Sequence, residues 1–343
     1  MKKFALLALL AGISATAAAQ SNVTLFGVLD ANARYVKNGD NKLKSLGTNG
    51  LNTSRIGLRG TEDLGDGLKA GFWLEAGLNP DAGTQSDATR FWNRRSTVSL
   101  LGNFGEVRLG RDYTPTYTGY SDYDVFGDNG LAASGKFDSS LGTTRDTGTR
   151  ADNLVSYFTP SNLGGFYGRA TVGAGEGVSG KKYIGGRAGF AAGPFDVSAS
   201  YGQTTVTAVS NGDDKFKTAD IGGSYDFGVV KASGYYTQSK TGQLKIASYN
   251  VGASVPLGLG ILRASYIHAN ASGTTDLGVD TNPNDANQFA LGYVYNLSKR
   301  TALYTTVATV KNKGNASFAV ASTPTLLAGQ KSTGIELGMR HSF

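Results

Sequence analysis

The chain has 343 residues, with 33 Lys and Arg against 26 Asp and Glu, and 49 glycines, a glycine share roughly twice the ordinary one. It contains no cysteine and only two histidines, His268 and His341. Disulfide scaffolds, zinc-thiolate sites, iron-sulfur clusters and thiol nucleophiles are thereby excluded, and little remains for a multi-His metal site or a Ser-His-Asp triad.

Met1-Lys2-Lys3 followed by FALLALLAGISATAAA is a short basic start, an apolar stretch and an Ala-rich end, the three-part pattern of an export signal. Ala17 and Ala19 meet the small-residue requirement of the cleaving peptidase. The expected mature chain is one domain spanning 20–343 that begins at Gln20, with 1–19 removed. Past residue 19 no apolar run approaches the roughly 20 residues of a membrane helix. Such an exported chain is either soluble or a β-barrel in an outer membrane, and periodicity decides.

Asn22 to Val36 alternates. Val23, Leu25, Gly27, Leu29, Ala31, Ala33 and Tyr35 are apolar or small, whereas the even set contains Thr24, Asp30, Asn32 and Arg34. Successive strand side chains point to opposite faces, so one wall is greasy and the other wet. Leu68, Ala70, Phe72, Leu74, Ala76 and Leu78 oppose Lys69, Trp73 and Glu75 in the same way. So do Ile221, Tyr225 and Phe227 against Asp220, Ser224 and Asp226, and Phe289, Leu291, Tyr293 and Tyr295 against Gln288 and Asn296. The last stretch sets Ile335, Leu337, Met339, His341 and Phe343 against Glu336 and Arg340.

Connections give a second signal. Seven tight turns at 62–67, 101–105, 160–165, 191–194, 226–228, 256–260 and 296–299 alternate with eight longer polar stretches. The latter fall near 37–52, 79–93, 113–149, 174–182, 203–216, 238–243, 270–286 and 311–331. Fifteen connections join sixteen strands, and short turns on one side with long loops on the other are the mark of an outer-membrane barrel. A soluble sandwich would alternate too, but it has no reason to segregate its loops. Closure also removes every edge, which lipid demands because it cannot satisfy free backbone groups. The expected fold is all-β, a 16-stranded antiparallel transmembrane β-barrel.

Inward glycines allow curvature and leave room in the lumen. Tyr35, Tyr157, Tyr249 and Tyr304 fall near strand ends, where amphipathic rings suit the two water-lipid boundaries. On the wet face of the second strand stand Arg55 and Arg59, opposite Ile56 and Leu58, and an outward Val98 puts Arg95 inward. His268 shares the lipid-facing parity of Leu262, Ala264 and Tyr266, and His341 adjoins the C-terminus, so both read as structural rather than catalytic. Basic residues are spread over alternate strand positions instead of forming one run, which argues for a pore lining and against nucleic acid. The glycine-rich GAGEG at 173–177 has no helix after it and reads as a loop, and no cofactor is expected. Inward aromatics such as Trp73 are scattered and form no continuous slide for sugars.

The stretches NVTLFGVLDANARYV, TSRIGLRGTEDLGDGLKAGFWLE, RRSTVSLLGNFGEVRLGRD, RADNLVSYFTP, NLSKRTALY and GMRHSF resemble the general porins of β-proteobacteria, of the anion-selective Comamonas and Delftia type. The resemblance implies a homotrimer of 16-stranded barrels in the outer membrane of a Gram-negative cell, each barrel with its own channel, with a third external loop folded into the lumen. Tyr113 to Thr149 stands after the fifth strand, where that loop belongs, and a loop of about 37 residues without periodicity calls for such a purpose.

It also implies an arginine cluster facing that loop, at Arg55 in TSRIGL, the Arg94-Arg95 pair in RRSTVSL and Arg150 in RADNL. At the pair, the resemblance favours Arg94 and parity favours Arg95. The counter-wall is expected from the loop, with Asp122, Asp124 and Asp128, while Glu75 lies near the cluster. Terminal Phe343 resembles the sorting signal read by the barrel assembly machinery. Expected partners are therefore further copies of the chain, that machinery, outer-membrane lipid and lipopolysaccharide, and small anions and hydrophilic solutes.

One Arg about 7 Å from an ion in bulk-like water is worth roughly 0.6 kcal/mol, so three give up to about 20-fold anion enrichment before screening. The expected function is passive diffusion of ions and small hydrophilic solutes with a preference for anions, not catalysis. The runner-up is a substrate-specific channel for small organic anions, and a barrel enzyme or adhesin stands behind both.

Overall fold

In the computed structural model, which describes residues 22–207, 214–275 and 277–343, sixteen strands close into one antiparallel barrel. The expected signal segment and Gln20 lie outside the described residues. Strand β1 is Asn22–Asn38, and β2 comes in two segments, Asn41–Thr48 and Arg55–Gly65, that pair in succession with β1. There follow β3 (Leu68–Asn79), β4 (Arg95–Gly102), β5 (Gly105–Tyr113), β6 (Arg150–Phe158), β7 (Phe166–Gly173) and β8 (Lys182–Ala192). The second half contains β9 (Phe195–Thr205), β10 (Lys215–Asp226), β11 (Lys231–Thr241) and β12 (Leu244–Leu257). It ends with β13 (Gly260–Ser272), β14 (Asp285–Asn296), β15 (Thr301–Asn312) and β16 (Lys331–Ser342).

The ring shuts where β16 meets β1, from Val28 opposite Ser342 to Asn38 opposite Ser332. At the foot of this seam Gly27 and Phe343 exchange backbone hydrogen bonds of 3.1 Å each way. The Phe343 ring lies over Gly27, in the space a side chain would need.

Burial runs opposite to that of a soluble protein. Leu337, Phe289 and Val98 are 64%, 53% and 54% exposed on the outer surface, while Glu336, Gln288 and Thr218 face inward and are buried. The alternation read from sequence therefore holds around the barrel, apolar out and polar in, as a bilayer requires. All seven tight turns fall where expected, between β2 and β3, β4 and β5, and so on to β14 and β15.

Two of the eight long loops do not. β1 and β2 join through a tight turn at Gly39, and β11 and β12 through Gly242, so the polar stretches near 37–52 and 238–243 are mostly strand. Polarity misled there because outward positions near these two hairpin tips hold Lys37, Lys42 and Lys240 in place of apolar side chains. The break in β2 at 49–54 has a cause. The buried Asp30 carboxylate accepts N–H bonds from Gly50, Leu51 and Asn52 at 3.0, 2.9 and 2.8 Å. This draws the backbone out of the ladder and seats Leu51 against Val294, Ala302 and Tyr304. Tyr304, expected at a water-lipid boundary, instead faces inward and donates its hydroxyl to Asp30.

The long loop after β5 folds inward. Helix α1 (Pro115–Ser121) starts at Thr114, whose hydroxyl accepts from Tyr117 N at 3.3 Å, and it rests on β8, β9 and β10. From there the loop crosses to a 3-10 turn, Gly130–Ala132, on β14 to β16. Inward glycines form its seat. A side chain at Gly222 would strike the Tyr123 ring, one at Gly252 Val125, one at Gly292 Phe126 and one at Gly334 Leu131. Two wall side chains grip the far end, since Glu336 accepts from Leu131 N at 3.3 Å and Gln288 donates to Ala132 O at 2.9 Å. Gly130 N also bonds Asn49 O at 2.9 Å, in the break of β2. Together with Phe318 and Val320 of the last external loop, the tip fills the lumen against Ile267, Ala286, Ala308 and Val310, the apolar core of the molecule.

Replacing Gly292 by Leu forces Phe126 off its seat. The expected outcome is a loss of roughly 1–3 kcal/mol in unfolding by urea, the usual cost of overpacking, together with a larger and noisier single-channel conductance. Conductance identical to the parent would show that the loop does not depend on this contact.

Candidate functional site

Where the inward loop approaches the wall of β2 to β6, arginines gather. Arg55 opens the lower segment of β2, Glu75 stands near the end of β3, Arg94 directly precedes β4, and Arg150 opens β6. Glu75 Oε1 accepts from Arg94 Nε at 2.5 Å and lies 3.7 Å from Arg55. The other Glu75 oxygen accepts from the Trp73 indole at 3.0 Å. Arg94 also donates to the Tyr113 hydroxyl at 3.1 Å, and Arg150 stacks over the Tyr113 ring at 4.1 Å. Four of the expected residues, Arg55, Arg94, Arg150 and Glu75, thus converge on one place, with a single carboxylate among three guanidinium groups.

Arg95 points into the same lumen, one step toward the periplasmic end. It lies over Trp73 at 4.4 Å and 3.9 Å from Asp112. Arg59 rests between Phe26 and Trp73, at 5.3 and 5.1 Å. The alternatives at 94 and 95 therefore resolve into two positions in the lumen. Parity applies to Arg95, inside the strand, whereas Arg94 stands before the ladder begins and reaches inward by another path. Their exposure differs. The Arg94 side chain is 7% exposed and braced by Glu75, but those of Arg55 and Arg95 are 25% and 20% exposed to the lumen. A cavity of about 350 Å³ opens between Arg55, Arg59, Trp73, Glu75, Arg95 and Tyr113.

The loop acids depart from the expected counter-wall. Asp122 does face the lumen, but its partner is Arg187 of β8, at 2.5 Å. Asp124 turns back into the loop and accepts from Phe126 N and Asp128 N at 2.9 and 3.1 Å. Asp128 accepts from Gly135 N at 2.6 Å. Inside the folded loop, buried N–H groups lack ladder partners, and these two carboxylates satisfy them instead of meeting the arginines. Burial, with Asp124 alongside, pushes the Asp128 carboxyl above its ordinary range, and burial pushes the Lys136 ammonium down. Arg34 is likewise occupied elsewhere. It binds Glu336 at 2.8 Å across the β1–β16 seam and so helps to hold the loop tip.

Sequence reasoning missed Arg108, Arg169 and Arg187, which extend the wall around the lumen. Arg108 binds Glu106 and Asp112 and stacks on Phe158 at 4.1 Å, and Arg169 shares that ring at 4.8 Å. Arg187 lies 5.6 Å from the Tyr167 ring. Their inward parity on β5, β7 and β8 was the available signal. The rings of Phe26, Trp73, Tyr113, Phe158 and Tyr167, scattered in the sequence, each stand beside an arginine. A guanidinium stacked on a ring keeps its charge and loses rotamer freedom, so it presents a fixed positive face to the lumen.

The chain matches the family model of Gram-negative porins over residues 5–315. It is 42% identical to outer membrane porin protein 32 of Delftia acidovorans, with all of both chains covered, and 31% identical to an outer membrane porin protein of Bordetella pertussis over the same full extent. The barrel superimposes on the anion-selective porin from Comamonas acidovorans with a TM-score of 0.84 at 40% identity, covering 94% of this chain and all of that one. A closed ring of sixteen strands, an outer wall of exposed apolar side chains, a lumen of charged ones and these relatives agree: the chain belongs to the Gram-negative porins and is a β-barrel of the outer membrane.

Proposed function

We propose that this porin is a general diffusion channel whose lumen favours anions, and that the wall of Arg55, Arg94, Arg95 and Arg150 sets the preference. The observation that carries this reading is the imbalance of charge at one level of the lumen. Arg55, Arg59, Arg94 and Arg95 line one cavity against two carboxylates, Glu75 and Asp112, and Arg150 stands beside them on the Tyr113 ring. Basic rings in a pore are a usual device for favouring anions, and a narrow lumen with low-dielectric walls strengthens the field they create. The similarity to a porin described as anion-selective supports the same sign. No step of covalent chemistry is needed, so the protein acts as a channel and not as an enzyme.

The mature chain starts at Gln20 after export, forms a homotrimer, and meets lipopolysaccharide on its outer surface. Phe343, at the closing seam, is the residue through which the assembly machinery would recognise the last strand. A channel with a true site for small organic anions is the second reading. It is favoured by the rigid placement of Arg59 and Arg95 on Trp73, which suits the two oxygens of a carboxylate. Saturable block of chloride current by a small carboxylate separates the two.

In a planar bilayer under a salt gradient, the reversal potential is expected to take the anion-selective sign. A chloride to potassium permeability ratio at or below one removes the preference while leaving the porin.

Replacing Arg55, Arg95 and Arg150 by Ser is expected to lower that ratio and raise conductance slightly. Glu75→Gln is expected to move it the other way, by about threefold at most, the worth of one charge near 7 Å. If neither variant moves the ratio, selectivity is set elsewhere in the lumen.

A further inference from the structure

On β7 and β8 two inward arginines stand directly opposite each other. Arg169 and Arg187 are register partners in the antiparallel ladder, which puts their Cβ atoms roughly 5 Å apart on one face of the wall. Like charges in that arrangement destabilise a sheet. A single carboxylate answers them. Asp122, at the end of α1 on the inward loop, binds Arg187 Nη1 at 2.5 Å, while Arg169 forms no ion pair among the described residues.

Both guanidinium groups are nonetheless held in place. Arg187 donates through Nε to Ser198 Oγ at 2.9 Å and lies 5.7 and 5.6 Å from the Tyr123 and Tyr167 rings. Arg169 donates through Nε to Thr171 Oγ1 at 3.0 Å and through Nη2 to the Tyr113 carbonyl at 2.5 Å. The other acids nearby are engaged elsewhere. Asp112 binds Arg108 at 2.5 Å, and Asp196 accepts from the Tyr123 and Tyr167 hydroxyls at 3.0 and 2.8 Å. A cavity of about 330 Å³ opens onto the pair, and Arg95, Arg108 and Asp122 also line it. Arg55, Arg94 and Arg150 do not.

We propose that Arg169 and Arg187 form a subsite for a tetrahedral dianion, inorganic phosphate or the phosphate group of a small monoester, and that Asp122 occupies the Arg187 half when no solute is bound. Charge selects this class. The Asp122 carboxylate leaves one of the two positive charges uncancelled, so a monocarboxylate in its place would change nothing, whereas a dianion balances both. A phosphate group also has oxygens enough for two guanidinium forks that approach from adjacent strands. Asp122 can yield its place readily, because its side chain is 53% exposed while that of Arg187 is 9% exposed. Competition from the loop keeps the hold on the solute weak, as a channel requires if what enters is to leave. The subsite goes beyond the anion preference assigned to the wall of Arg55, Arg94, Arg95 and Arg150, and it rests only on the lumen being a water-filled passage.

The test records chloride current through the full-length protein in a planar bilayer while inorganic phosphate, glycerol phosphate or acetate is added, at a pH where the phosphate is a dianion. Phosphate is expected to reduce the parent current saturably, and acetate to leave it nearly unchanged. Arg169→Gln and Arg187→Gln are each expected to raise the half-blocking phosphate concentration roughly tenfold, the worth of a hydrogen bond between charged groups. Asp122→Asn is expected to lower it about threefold or more, because a competing negative charge is gone. That gain of binding cannot come from a misfolded barrel. Block by glycerol phosphate as well extends the subsite to monoesters, and block by inorganic phosphate alone confines it to the free ion. Acetate as effective as phosphate, an unchanged half-blocking concentration in Asp122→Asn, or no difference between the parent and both Gln variants would overturn the proposal, as would a current that phosphate leaves untouched in the parent and in Asp122→Asn. A protein carrying Arg55→Ser and Arg150→Ser separates the subsite from the selectivity reading. It is expected to lose anion preference while keeping the half-blocking concentration of the parent; a loss of block as large as in Arg187→Gln would place the dianion on that other wall and overturn the subsite.

Discussion

Hydrocarbon offers no partner to a backbone N–H or C=O, and the whole molecule follows from meeting that condition with strands. Each strand must have a neighbour on both sides, so the last must return to the first, and the seam between β16 and β1 is where this is achieved. Once the ring is closed, the outward side chains have to be apolar and the inward ones are released from packing a common core. That release is what allows guanidinium groups to stand in the interior of a protein. In a soluble fold so many inward arginines would need one buried carboxylate each. Here water fills the lumen and lowers the penalty.

A hollow barrel of this size would nevertheless be wide and featureless, and the inward loop supplies the shape. Its seat is built by subtraction, since Gly222, Gly252, Gly292 and Gly334 give up side chains so that Tyr123, Val125, Phe126 and Leu131 can approach the wall. The loop then covers the apolar inner wall of β13 to β15 and leaves the arginine wall of β2 to β8 open. Position of the loop and charge of the opening are therefore one arrangement: what the loop buries cannot line the channel, and what it leaves bare does.

Most of the fold was legible because a period of two is written residue by residue. The parity of Val98 fixes the direction of Arg95, and that of Leu337 fixes Glu336, with no knowledge of neighbours. Positions outside the ladder lack that information. Arg94 precedes β4, and its contact with Glu75 depends on a bend that no alternation encodes. Asp124 and Asp128 lie in a turn whose unpaired N–H groups claim their oxygens, a local need that cannot be seen from charge alone. Tyr304 failed for another reason. Aromatic rings near strand ends suit a lipid boundary in general, but its even parity already pointed inward, and parity outweighs composition. The two hairpins near Gly39 and Gly242 show the limit of polarity as a guide, because lysines at outward positions interrupt the alternation while the ladder continues.

The use of arginine along the lumen wall has a chemical basis in how the two kinds of cation carry their charge. A guanidinium is weakly hydrated and stays protonated even when half-buried, and its plane can stack on Trp73, Tyr113 or Phe158 without losing its field toward the water. An ammonium in the same setting sheds its proton as it is buried, and Lys136 under the inward loop is pressed in that direction. It is held by the Leu131 carbonyl and Gln288 at 2.8 and 2.7 Å, where it acts as a hydrogen-bond donor that fixes the loop. Lining the narrow part of the lumen with lysine would tie its charge to the local water content, which varies with every solute that enters. Arginine removes that dependence, so the field that meets a permeating ion is a property of the wall and not of what occupies the channel.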